Sequence, residues 1–237
     1  MCIRDRYIDI FYILLSYLWG AIPTSYLVAK YYAKIDITKR GSQNVGASNL
    51  ATNTNPFIGY LIGAFDAFGK GSLPVLIFLY IIPVQYEITP ILCGLVSIAG
   101  HNWSPYIKFK GGRGLSTAIG LLFAFQMWPH ILLGTLFIGI MGRIVTKDNA
   151  FWAFVTIIML PIITLATTSQ SIEHSLIISL GITCLLIAKR ITSNSHPNLE
   201  NNKYREILIY RIIWDRDLKD HKQWINRNIS SESSMKN

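Results

Sequence analysis

Charge is what this sequence has least of. Of its 237 residues, 15% are Asp, Glu, Lys or Arg while 51% are hydrophobic, which excludes an ordinary soluble globule and points to a membrane. Cysteine is scarcer still: Cys2, Cys93 and Cys184 lie far apart with no CxxC pair, so neither a disulfide-stapled secreted scaffold nor a cysteine zinc site has support. The histidines, His101, His130, His174, His196 and His221, lack metal-ligand spacing to a second His, Cys or carboxylate, and no metal is expected. The patterns GxxxxGK[ST], GxSxG and HxxxxD are missing as well. Their absence removes P-loop nucleotide chemistry, covalent serine catalysis and soluble-type His–Asp acyl transfer.

What is present is a series of apolar stretches, at 8–29, 56–83, 88–106, 115–127, 130–142, 150–168 and 175–188. Several reach the ~20 residues that a helix needs to span ~30 Å of hydrocarbon. The expected fold is therefore all-α, a polytopic membrane helix bundle of about seven transmembrane helices. The stretch 115–141 is too short for two full spans and too long for one; Trp128-Pro129 breaks it, predicting a short helical hairpin. Lys30, Lys34, Lys39 and Arg40, then Lys108, Lys110 and Arg113, then Arg143 and Lys147, then Lys189 and Arg190 fall in alternate loops. Cation placement of this kind marks the cytoplasmic side and puts the N-terminus outside and the C-terminus in the cytoplasm. The net charge of +9 is thereby explained by inside loops and a basic tail, and no nucleic acid partner is expected. Arg4 and Arg6 disagree with the pattern; the opening MCIRDR reads as a polar scrap, and with no A-x-A site after residue 29 the first span is expected to be retained.

The composition divides the chain into a transmembrane domain at 1–190, a polar linker at 191–202 and a basic amphipathic tail at 203–237 on the cytoplasmic side. In the tail, Ile207, Tyr210, Arg211, Trp214 and Leu218 recur at three- and four-residue intervals, with Arg205, Arg216 and Lys219 towards the other side of a helix. Such a helix either lies on an anionic inner leaflet or packs on the cytoplasmic face of its own protein.

Three strings hold residues that a simple anchor would not need. Asp66 and Lys70, in FDAFGKGSLP, share one helix face inside an apolar span, where each costs ~2.5–3.5 kcal/mol unless it meets a wet cavity, its neighbour or a polar ligand. They form either a buried ion pair that fixes helix packing or part of a ligand site. KRGSQNVGASNLATNTN has the composition of a ligand loop or of a solvated turn, with Ser42, Asn44, Ser48 and Asn49 as hydrogen-bonding groups between Gly41 and Gly46. GHNWSPYIKFKGGRGLST offers consecutive N–H groups in a glycine-rich turn, the cations Lys110 and Arg113, and a following helix N-terminus, an arrangement that binds phosphate. His101 is either a polar residue satisfied at a helix end or a donor or proton carrier in that pocket.

In this order and spacing the strings resemble the integral-membrane acyl-phosphate:glycerol-3-phosphate acyltransferases, the PlsY family. GSQNVGASN at 41–49 resembles the family's GSGNxGATN, DAFGKG at 66–71 its DxxKG, and GHNWSPYIKFKGGRGLST at 100–117 its GHxxxxFxxFKGGKGxAT; RIVT at 143–146 is similar to a further short element. The resemblance implies transfer of a fatty acyl group from acyl phosphate to the 1-hydroxyl of glycerol 3-phosphate, giving lysophosphatidate for phospholipid synthesis. It further implies no cofactor, a site facing the cytoplasm within a bacterial inner membrane, and glycerol 3-phosphate, acyl phosphate and membrane lipid as partners. On that reading Lys110, Gly111, Gly112, Arg113 and Gly114 hold substrate phosphate, and Ser42, Asn44, Asn49 and Lys70 orient the substrates and polarise the carbonyl. His101, Asp66, Gly46 and Arg190 support the site. Two positions depart from the family pattern: Thr52 stands where an arginine is usual, and AKRITSNSHPNLE does not place Arg190, Asn194 and His196 in the register of the C-terminal HxxNIxR. A transporter or channel for an anionic phosphate ester, an acyltransferase with another acceptor, and a non-catalytic scaffold are the competing readings; the oligomeric state is not encoded.

Overall fold

In the computed structural model of the protein, residues 3–81, 87–167, 172–194, 204–218 and 224 are described, with side chains from residue 8 onward. Expectations for most of the polar linker, His196, His221, Lys219 and the loop at 84–86 lie outside the described residues. All regular structure among the described residues is helical: α1 Ile3–Gly20, α2 Thr24–Tyr31, α3 Ala47–Asn53, α4 Pro56–Ala64, α5 Leu73–Tyr80, α6 Ile88–Asn102, α7 Leu115–Ala124, α8 Trp128–Gly134, α9 Asn149–Thr167, α10 Ile172–Thr192 and α11 Tyr204–Trp214. Wider π turns at Phe65–Ser72 and Thr135–Val145 join α4 to α5 and extend α8. Among the described residues, five helical stretches are long and apolar enough to cross a membrane: Ile8–Tyr31, Pro56–Tyr80, Trp128–Val145, Asn149–Thr167 and Ile172–Thr192. Two shorter helices, α6 with 15 residues and α7 with 10, stand beside them.

The details differ from the hydropathy reading in four places. The first apolar stretch is not one helix: Pro23 has no N–H to give, α1 stops at Gly20, and α2 restarts at Thr24. The hairpin at 115–141 is asymmetric, with a short α7, a reversal at Phe125–Met127 and a second arm running on to Val145. The last apolar helix is 21 residues long rather than short. The tail helix ends at Trp214, because Asp215 takes the left-handed conformation, φ +58. Its position is against α9 and α10 of its own chain.

The main core gathers Val75, Ile91, Ile98, Leu121, Ile157, Leu160, Ile178 and Ile182 between α5, α6, α7, α9 and α10. Phe11, Leu14 and Leu18 on α1 and Leu132, Leu136 and Ile140 on the second hairpin arm are exposed, as a lipid-facing surface requires. In a bilayer burial of apolar surface drives little helix association, and small residues that let backbones approach take its place. At Gly120 a Cβ would lie 1.8 Å from the Ala67 carbonyl oxygen, and Ser72 Oγ donates to the Gly120 carbonyl at 2.7 Å, so α7 and the first π turn meet backbone to backbone. A second, smaller cluster of Ala29, Ile37, Val45 and Leu50 supports the loop between α2 and α3.

Gly120→Val should therefore push α7 away from Ala67 and destabilise the bundle by about 1–3 kcal/mol or more. Gly139→Ala, whose Cβ would meet only Thr135 Cγ2 at 3.9 Å, should be neutral. Melting of the detergent-extracted protein, followed by size-exclusion fluorescence, distinguishes the two.

Candidate active site at the loop end of the bundle

The break between α1 and α2 and the first π turn are two halves of one feature. Lys70 and Asp66 are each 1% exposed, and their ion pair is 2.6 Å long. Lys70 Nζ also donates to the Ile22 carbonyl at 2.7 Å and to Thr24 Oγ1 at 3.0 Å, while the Thr24 hydroxyl donates to Asp66 Oδ1 at 2.9 Å. All three ammonium protons thus have acceptors. Pro23 frees the Ile22 carbonyl from its helix, and the π turn widens the ladder beside Lys70. Trp19 Nε1 takes up the Gly69 carbonyl at 2.7 Å, and Ser97 Oγ the Lys70 carbonyl at 2.8 Å. His101 sits behind the pair, Nδ1 3.8 Å from Asp66 Oδ1, which is beyond direct hydrogen-bond reach. Ile22, Thr24, Lys70, His101, Ser104 and Gly111 line a small polar cavity of about 10 Å³, roughly the space that one water needs.

Above this cavity the two glycine-bearing loops are locked together. Asn49 organises the first: its Nδ2 donates to the carbonyls of Ile37, Arg40 and Asn44, and its Oδ1 accepts from Ser42 N and Asn53 Nδ2. Ser42 Oγ accepts from Asn44 N at 3.4 Å, and Gly46 caps α3. Val45 N then donates to the Gly111 carbonyl at 3.2 Å, joining this loop to KGGRG. The Gly112 N–H donates to the His101 carbonyl, and a Cβ on Gly112 would lie 1.9 Å from His101 Nε2, so only glycine lets the loop rest on that ring. Gly114, φ +74, turns the chain into α7, whose first-turn N–H groups have no carbonyl four residues back to bond. Asn194 bridges both loops: it donates to the carbonyls of Gly111, at 2.8 Å, and Gln43, and accepts from Gly111 N at 3.4 Å.

The cations divide into engaged and free. The Lys110 side chain makes no ion pair or hydrogen bond among the described residues. It lies close enough to Asp36 to act on it: burial pushes the Asp36 carboxyl up, but hydrogen bonds from Thr38 and the charges of Lys39 and Lys110 outweigh burial and hold it below its ordinary value. Arg113 pairs with Asp215 of the tail. Lys189, fully buried, donates to Asn194 Oδ1 at 2.8 Å and lies over the Trp103 ring. Arg190 donates to the carbonyls of Ile212, Ile213 and Ala150, so its fork holds α11 to the start of α9. Thr52 is exposed, with its hydroxyl on the Ser48 carbonyl of its own helix.

Beyond Gly114 opens an apolar cavity of about 290 Å³ between α7, the second hairpin arm, α9 and α10. Leu115 and Leu186 stand at its loop end, and Leu186 Cδ2 would lie 2.8 Å from a Cβ at Gly114, second only to Asn102 Oδ1 at 2.6 Å. Its far end is closed by His130, whose Nε2 shares a hydrogen with Thr164 Oγ1 at 2.8 Å.

The structure thus brings Ser42, Asn44, Gly46, Asn49, Asp66, Lys70, His101 and the 110–114 loop into one connected network, with Arg190 at its tail side. Sequence reasoning passed over Thr24, Lys189, Asn194 and Asp215. Thr24 was signalled by the Pro23 that precedes it. Lys189 was read only as a topology mark, and Asn194 only as a residue out of family register. Asp215 carried no signal.

Comparison with known proteins gives a consistent picture. The family profile described as Glycerol-3-phosphate acyltransferase matches residues 10–199. A Glycerol-3-phosphate acyltransferase 5 from Dehalococcoides mccartyi is 30% identical over 222 residues, covering 90% of this chain and 91% of that protein. The Glycerol-3-phosphate acyltransferase of Shouchella clausii is 34% identical over 152 residues, covering 63% and 72%. The crystal structure of PlsY, an integral membrane glycerol 3-phosphate acyltransferase, in its glycerol 3-phosphate form superposes with a TM-score of 0.67 at 25% identity, over 77% of this chain and 88% of that one; its lysophosphatidic acid form gives 0.63.

Asp66→Ala should leave the Lys70 ammonium buried with no counter-charge and destabilise the protein by about 3–5 kcal/mol. Thr24→Val removes two hydrogen bonds, from Lys70 and to Asp66, and should cost about 1–3 kcal/mol. Thermal melts in one detergent rank the two.

Proposed function

Since the chain belongs to the glycerol-3-phosphate acyltransferase family, we propose that it transfers a fatty acyl group from acyl phosphate to the 1-hydroxyl of glycerol 3-phosphate, releasing lysophosphatidate and inorganic phosphate. The observation that carries the reading is the loop network: two glycine-bearing loops joined at Val45–Gly111 and tied by Asn194, with Lys110 left free beside the N-terminus of α7. Anionic substrates need such a site, cationic and rich in oriented N–H groups. Lys110, Arg113 and the amides around Gly112–Gly114 take phosphate. Ser42 and Asn44 face the substrates, and Asn49 keeps their loop in shape. Lys70, with Asp66 and Thr24, lends a positive field from below rather than a free donor.

Acyl phosphate is already activated, so the chemistry asks for positioning and charge stabilisation. The acceptor hydroxyl adds to the carbonyl carbon, and the π pair moves onto oxygen to give an oxyanion. That oxyanion collapses with cleavage of the acyl C–O bond to phosphate. The hydroxyl proton passes to a phosphate oxygen; the His101 ring, pressed between Gly112 and Asp66, is not needed as base. The acyl chain enters the apolar cavity that starts beside Gly114, where about ten chain carbons fit if each methylene takes roughly the ~30 Å³ of a water.

The same reading gives the protein seven membrane passes in a bacterial inner membrane, with the N-terminus outside and the loop end facing the cytoplasm. Its support is that the four cationic loops, which alternate along the sequence, converge at one end through the Val45–Gly111, Asn194–Gly111 and Arg190–Ala150 hydrogen bonds. The division into a membrane domain to residue 190, a linker and a tail from 203 belongs to this reading too.

Purified protein given palmitoyl phosphate and labelled glycerol 3-phosphate should form lysophosphatidate, with palmitoyl-CoA inert as donor. Lys110→Ala should lower kcat/KM by about 10²-fold or more; product formation that survives the substitution undiminished would remove Lys110 from the site. Gly134→Leu, whose Cβ has ordinary contact distance to Thr156 at 3.5 Å, should fill part of the apolar cavity and shift preference towards acyl phosphates shorter than decanoyl. A donor panel that keeps its wild-type order would instead place the chain elsewhere.

A further inference from the structure

We propose that Asp215, outside the stretch matched by the family profile, is a positioning residue that holds Arg113 in orientation for substrate phosphate. The inference rests on the assignment of Arg113 to phosphate made above. Three observations carry it. Arg113 meets residue 215 twice, through an ion pair with the carboxylate and through Nη2 to the backbone carbonyl at 3.4 Å. The segment that presents Asp215 is firmly built in: Arg190 holds the carbonyls of Ile212 and Ile213, Arg211 donates to the Ile191 carbonyl at 3.0 Å, and Arg211 also pairs with the buried Asp217. Lys189, buried at the same end of α10, lies within electrostatic reach of both Arg113 and Asp215.

Arg113, Lys189 and Arg190 would repel one another if left alone. Asp215 and the carbonyl end of α11, which bears partial negative charge, supply the balance. An arginine suits this place better than a lysine, since its planar fork can give one edge to a carboxylate and keep another for phosphate. A lysine ammonium has no fixed fork to share in this way. The tail helix is accordingly part of the site's wall, and the left-handed backbone at residue 215 accepts Asp or Asn but few other side chains.

Asp215→Asn keeps the size and the backbone preference and removes only the charge. In the full-length protein in detergent, it should raise the KM for a phosphate-bearing substrate and the inhibition constant of inorganic phosphate about tenfold, as expected for loss of a charge-assisted contact, with kcat within about twofold. Glu206→Gln, an exposed acid on α11, should change neither. In an Arg113→Lys background the effect of Asp215→Asn should shrink to under about twofold, because the coupling runs through the fork. A fall in kcat that tracks loss of folded protein at unchanged KM would reduce Asp215 to a structural brace and overturn the proposal. A lower KM would overturn it in the other direction, making the tail carboxylate a competitor of phosphate. If wild-type protein forms no product at all, the functional reading fails separately. Stabilisation against heat by inorganic phosphate then still tests the inference: it should be weaker in Asp215→Asn, and equal shifts would refute it.

Discussion

An ammonium group buried at bilayer depth persists only if each of its protons is met, and the arrangement of this fold follows from meeting those of Lys70. The acceptors come from three sources: a carboxylate one turn away, a threonine hydroxyl, and a main-chain carbonyl that a continuous helix would not release. The first apolar rod is broken at Pro23 to provide the last two. The second rod is widened around Phe65–Ser72 to carry the first, and the side chains of Trp19 and Ser97 take up carbonyls along it. Such a group is costly, and its cost is offset only when the whole set is present.

That knot also fixes where the loops lie. Ser104, just past α6, donates to the Ala21 carbonyl at 2.6 Å, next to the break, so the end of α6 and the turn that follows are pinned to it. The glycine-rich loop then folds back onto His101, and the first loop docks on Gly111. Position is therefore transmitted from the membrane interior to the glycine-rich loop through hydrogen bonds of main chain to side chain. The tail adds a second anchor from the opposite side, through the paired Arg113 and Asp215.

Much of this was legible in the sequence, and the exceptions have physical reasons. Hydropathy finds apolar runs because lipid demands them, and the spacing of the three polar strings identified the residues that converge. Hydropathy is blind to a proline break inside an apolar run, so the α1–α2 interruption went unread. Composition shows which groups can donate but not which are already engaged: Asn49 and Lys70 looked like ligand donors, whereas the fold uses nearly all of their capacity internally. The tail helix is amphipathic in a way that suits lipid or protein equally, and contacts such as the carbonyls accepting from Arg190 are what distinguish them. Lys189 and Arg190 sit where cations mark topology, which concealed that both are buried.

The brevity of α7 has a bearing on the solvent around the protein. Ten residues make about 15 Å of helix, half of the ~30 Å hydrocarbon layer, and Ile119 and Phe123 on it are exposed. A lipid leaflet beside so short a wall relieves the mismatch by dimpling, which lowers the headgroup plane towards the N-terminus of α7. The aqueous boundary then comes down to the glycine-rich turn, and a water-soluble molecule and an acyl chain can occupy the same depth without either leaving its preferred phase.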